Sequence, residues 1–110
     1  MSSISISVEP ASVGLQAYDP SRRLEKLHAA LTVALQAGFP GWQIDVCRYG
    51  IGIDRMHIIR DGVNIPHTVK DDWGKRHLTP EYAAVSEILS ETLAALGYTH
   101  DNFGSVIAPE

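Results

Sequence analysis

Cysteine is almost missing from this chain of 110 residues: Cys47 stands alone. One thiol forbids an internal disulfide and any zinc site built on paired cysteines, and it fits a reducing compartment. No apolar run approaches the roughly 18 residues a transmembrane helix needs, so no membrane partner is expected. Met1 to Val8 has neither the basic flank nor the continuous apolar stretch of a secretory signal, which makes the cytoplasm the expected location. Positive charge is missing from the last third. Residues 1–76 carry all nine Lys and Arg with eight Asp and Glu, whereas residues 77–110 carry five acids (Glu81, Glu87, Glu91, Asp101 and Glu110) and no Lys or Arg. The net charge of −4 argues against general nucleic-acid binding, which needs a positive face to displace counterions. The acidic third reads as a solvated helix face or as a surface for a basic partner.

Catalytic and cofactor patterns are lacking too. No serine stands in a Gly-x-Ser-x-Gly elbow and no His-Glu-x-x-His occurs. Gly50-Ile51-Gly52 leads into a strand pattern, whereas phosphate-cradling glycines lead into a helix. Cys47 falls mid-strand with no helix N-terminus after it to lower its pKa. The chain therefore reads as a non-enzymatic protein without a cofactor.

What is present begins with Arg55 to Val69. Asp61-Gly62 between two apolar-rich runs is a hairpin signal, because a type I′ turn needs φ > 0 at both central residues. Pairing across it sets Arg60 opposite Val63, Ile58 opposite Ile65 and Met56 opposite His67 on one face. His57, Ile59, Asn64 and Pro66 fall on the other.

Along the chain, Ser3 to Val8 alternates with period two and predicts a half-buried strand, with Ile4, Ile6 and Val8 on one side. Short and Ser-rich, it reads as an edge strand able to pair with another subunit, followed by an irregular lead-in to Tyr18. Asp19-Pro20 opens a helix with Leu24, Leu27, His28, Leu31 and Leu35 at helical spacing and Gly38 as its stop. His28, on or beside that stripe, reads as a packed structural residue. Trp42, Ile44 and Val46 alternate in a second strand, Tyr49 to Ile53 bends, and the hairpin supplies strands three and four. Lys70 to His77 is a polar loop holding Trp73. Thr79-Pro80 opens a second helix with Tyr82, Val85, Ile88, Leu89, Leu93 and Leu96 as its stripe and Gly97 as its end. Residues 98–110 read as a C-terminal tail, with Phe103, Val106 and Ile107 available to tie part of it down.

The expected fold is one α+β domain over residues 1–110, of about four antiparallel strands in the order β-α-β-β-β-α, with two helices packed on one face of the sheet. Double-stranded-RNA-binding domains share the helix, three strands, helix order. They carry a lysine cluster entering the last helix, where Thr79-Pro80-Glu81-Tyr82 stands here, and a shared order says little about function.

Three groups of residues are candidates for function. Arg48, Tyr49, Arg55, Arg60 and Trp73 could hold a phosphorylated or nucleotide-like ligand, since guanidinium binds phosphate bidentately and aromatic rings stack on bases. A domain this small would place such a pocket between subunits. His67, Asp71, Asp72 and His77 lie within eleven residues and could converge on a divalent metal. Trp73, alone among polar neighbours, either folds back onto the core or marks a partner surface. The leading expectation is a small, self-associating binding protein that acts by binding or inhibiting another macromolecule. A small-ligand binder is the alternative and a metal-dependent enzyme the next.

Overall fold

The computed structural model describes residues 1–47 and 56–109. Among these residues the regular elements are β1 (Ser3–Ser7), α1 (Arg23–Gly38), β2 (Gln43–Cys47), β3 (Met56–Arg60), β4 (Val63–Asn64), β5 (Thr68–Lys70), β6 (Arg76–Leu78), α2 (Pro80–Ala95), β7 (Thr99–His100) and β8 (Val106–Ile107), with a 3₁₀ turn over Pro10–Val13. β1 to β4 form one sheet in the order β2-β1-β3-β4, and β5-β6 and β7-β8 are separate two-stranded ribbons. The architecture is α+β with both helices packed against the sheet, as the alternation and helical spacings predict.

Alternation decides the sheet's two faces. Ile4, Ile6 and Val8 are buried, and Ile4 lies opposite both Ile44 of β2 and Ile58 of β3. α1 lays Leu24, Leu27, Leu31 and Leu35 onto this layer, and α2 adds Tyr82, Val85 and Leu93. Gln43, Asp45, His57 and Asn64 stay exposed. His28 bonds from Nε2 to the Val8 carbonyl at 3.0 Å, the structural role expected of it.

The first strand is not at an edge. β1 lies between β2 and β3, parallel to β2 and antiparallel to β3, so the sheet is mixed. Small serines on its outward side read as edge character, but backbone groups on both its sides are taken up in ladders. The loop expected at Lys70–His77 is instead the β5-β6 hairpin, and the expected tail contains the β7-β8 hairpin. Asp61-Gly62 turns as predicted, with φ of 52° and 80°, and Arg60 pairs with Val63. The Ile65 N–H still donates to Ile58 at 2.9 Å, but β4 ends at Asn64 and His67 lies outside the sheet. The expected bend at Tyr49–Ile53 lies outside the described residues.

Helix boundaries carry two further differences. α1 starts at Arg23, not Pro20, because Asp19 to Arg22 forms a turn (Arg22 N–H to Asp19 O, 3.0 Å) and the Asp19 carboxylate then accepts from the Arg23 N–H. Gly38 is the last helical residue of α1, and a Cβ there would meet Ile88 Cδ1 at 2.8 Å, so it serves the close approach of α2. α2 begins at Thr79-Pro80 as expected and ends in a Schellman arrangement: Tyr98 N–H donates to Leu93 O, Gly97 N–H to Ala94 O, and Gly97 has φ +89°.

Gly14 locks the last hairpin onto the fold. Its φ is +73°, and an added Cβ would stand 2.8 Å from the Val106 carbonyl oxygen, a backbone atom with little room to retreat. Gly14→Ala is therefore expected to destabilise by about 1–3 kcal/mol through left-handed strain and displacement of β8. Amide exchange in β7 and β8 should accelerate more than in β1. Unchanged exchange there would refute the contact.

Candidate functional site

Two hairpin turns are built alike. Asp-x-aromatic-Gly recurs at 71–74 and 101–104, as Asp71-Asp72-Trp73-Gly74 and Asp101-Asn102-Phe103-Gly104. In the first, Gly74 N–H donates to Asp71 O at 3.0 Å, closing a turn, and Asp71 N–H donates to Lys75 O at 2.9 Å. Asp71 Oδ1 accepts the N–H of Trp73 and the N–H of Lys75, both at 2.9 Å. The second repeats this: Gly104 N–H to Asp101 O at 3.2 Å, Asp101 N–H to Ser105 O at 3.0 Å, and Asp101 Oδ1 accepting from Phe103 and Ser105 at 2.8 and 2.9 Å. Gly74 and Gly104 have φ of +78° and +82°. Asp leads such turns because its short carboxylate reaches the amides two and four residues on, and Gly takes the left-handed position. The recurring spacing is the sequence signal for both hairpins, and a reading of 70–77 as loop and 98–110 as tail passes over it.

Both turns hold their aromatic residue in water: Trp73 is 92% exposed and Phe103 93%. Trp73 does not fold back onto the core. Around it stand Lys70, Lys75 and Arg76, with Lys70 directly across the ladder from Arg76. Like charges face to face weaken a strand pair. Arg76 donates to Thr68 Oγ1 at 2.9 Å, and among the described residues none of these three cations makes an ion pair. Asp72 is exposed at the tip, while Asp71 is turned into the loop. The result is an apolar tip with a cationic collar on a chain whose net charge is −4. The base of this hairpin is pinned by Thr79, which donates from Oγ1 to Pro66 O at 2.8 Å and from N–H to His67 O at 3.1 Å.

The four residues considered as metal ligands are not gathered. His77 Nε2 lies 2.7 Å from Asp71 Oδ2, but the His67 ring packs edge-on against Tyr82 at 4.9 Å, and Asp72 points to solvent. Among the described residues no three His, Cys, Asp or Glu side chains stand together as ligands. Of the arginine-aromatic group, Arg48, Tyr49 and Arg55 lie outside the described residues. Arg60 is engaged, donating to Glu81 Oε1 at 3.0 Å in the first turn of α2, and Trp73 stands on a different hairpin.

α1 and α2 leave a second surface feature. An open apolar groove of about 490 Å³ runs between their C-terminal halves, walled by Ala30, Ala34 and Ala37 on one side and Ile88, Ala95 and Leu96 on the other. No helix among the described residues is long and apolar enough to cross a membrane. Family models, curated proteins and solved structures were compared with the chain, and none matches it.

Asp71 ties the tip to pH. Its carboxyl is held below the usual carboxylate range, first by the bond from His77, then by the Lys75 N–H, against a smaller opposing effect of burial, with the Trp73 N–H adding to the lowering. An acid whose pKa falls on folding supports the folded form when ionised. That support is complete above the ordinary carboxylate pKa and is lost as pH falls through the depressed one. The β5-β6 tip is therefore expected to loosen in acid before the sheet does, seen as an acid-side shift of the Trp73 and Lys75 amide resonances that Asp71→Ala abolishes. Amides that move only with global unfolding would contradict this.

Proposed function

We propose that this is a small non-enzymatic binding protein whose contact surface is the β5-β6 tip, and that it acts by engaging another macromolecule. The observation that carries this reading is the display of Trp73. A large apolar ring left in water is unfavourable, and here a fixed turn holds it there. Exposed aromatic residues on rigid supports are the side chains that dominate binding energy once buried in a partner's pocket. The collar of Lys70, Lys75 and Arg76 favours a partner with an apolar pocket and an acidic rim, and it adds association rate through steering.

A photo-crosslinking amino acid at position 73 tests this, with position 18 as control, since Tyr18 is also exposed (79%) and lies on a different surface segment. Position 73 should label one defined macromolecule in cells and position 18 should not. Trp73→Ala should weaken that complex by about 2 kcal/mol, roughly thirtyfold, with little change in Tm because the ring touches little of its own chain. The same diffuse labelling from both positions would remove the proposal.

A further inference from the structure

The Trp73 tip and the helical groove are complementary surfaces carried by one chain. Four alanines and Gly38 make up five of the groove's nine lining residues, and small side chains leave room for a large ring. Val33, 66% exposed, extends the apolar surface, being three residues from Ala30 and four from Ala37 on the helix. Glu91 lies on the rim, and Glu87, one turn earlier, is exposed beside it. The groove is thus apolar with an acidic edge, and the tip is apolar with three cations around it against one exposed carboxylate, Asp72.

The folded chain does not fill its own groove, since Trp73 stands in water. β6 runs through Thr79 into the start of α2, while the groove lies along its second half, from Ile88 to Leu96. At 1.5 Å per residue the groove's centre is about 18 Å from the helix start. Two α2 helices placed antiparallel bring the start of each to the end of the other. We propose that the groove receives the Trp73 tip of a second copy of this chain, the two copies exchanging tips reciprocally about a two-fold axis. Each exchange buries one indole among alanines and brings Lys75 and Arg76 to the acidic edge formed by Glu87 and Glu91. A two-fold axis makes the two contacts identical and closes the assembly at two chains. This inference rests on the reading of the Trp73 hairpin as a contact surface.

Sedimentation velocity over a concentration series, with the parent chain, Trp73→Ala and Ala37→Arg, tests it. Both positions are exposed, and circular dichroism checks that each variant keeps its fold. The parent should dimerise, and each variant should need at least about tenfold more protein to do so. Mixing the two variants should restore a heterodimer, because the tip of the Ala37→Arg chain still fits the groove of the Trp73→Ala chain. A folding defect gives no such rescue. A parent chain that is monomeric at every concentration overturns the exchange. If position 73 still crosslinks a different macromolecule, the contact-surface reading survives that result. A dimer indifferent to both variants also overturns the exchange.

Discussion

The fold depends on the hydrogen bonding of β1 on both sides. Its parallel partner β2 cannot be reached by a tight turn, so the chain between them must cross over the sheet, and α1 is that crossover. Once α1 lies over the sheet, Ile4, Ile6 and Val8 have a leucine face to meet. β3 then closes the other side of β1 with Ile58 opposite Ile4, and the Asp61-Gly62 turn returns the chain towards α2. The helices sit on one face because the other carries Ser3, Ser5, Gln43, Asp45, His57 and Asn64, polar side chains that are exposed or half-buried.

Element types were legible where a period or a turn residue decides them. Period-two isoleucines mark β1, leucines at helical spacing mark α1, and Asp61-Gly62 fixes both turn type and register. Partnership was not legible. The alternation in Ser3 to Val8 says which face is buried and nothing about which strands lie alongside, and serine on the outward face suits a central strand as well as an edge. Gly38 shows a second limit: a glycine at a helix end suggests a left-handed cap, whereas here it is the last helical residue, with Ile88 Cδ1 of α2 close to where a Cβ would stand. Of the candidate residues, Trp73 was found by its isolation among polar neighbours. Its hairpin was not, because two three-residue strands, exposed or half-buried, leave no apolar periodicity to read. The residues of the metal grouping are divided in the fold: His67 belongs to the hairpin's base and packs on Tyr82, while Asp71 and His77 pair towards its tip.

The two aromatic turns share a construction and differ in charge. The Phe103 tip is flanked by Asn102 and Ser105, and the lysines and arginine that surround Trp73 have no counterpart there. The Phe103 hairpin is also fastened to the body of the protein, through Gly14 against Val106 and Ala108 and through the Arg23 guanidinium donating to the Pro109 carbonyl. Among the described residues, the bonds that hold the Trp73 hairpin lie at its base, along its ladder and in its own turn. One turn design thus serves a fixed position and a projecting one.

That difference separates the hairpin that contributes to the core from the one that stays in water. Val69 and Leu78, the apolar residues of β5 and β6, remain 46% and 44% exposed, so this hairpin adds little to the core. An isolated two-stranded ribbon is marginal in water, and the bonds that Asp71 gathers at the turn must therefore supply much of its order. Positions 70, 72, 73, 75 and 76 are all exposed, and none of them belongs to the core of Ile4, Leu27, Leu31, Ile58 and Val85. The charge and shape of the tip can then change without disturbing the sheet and the two helices that carry it.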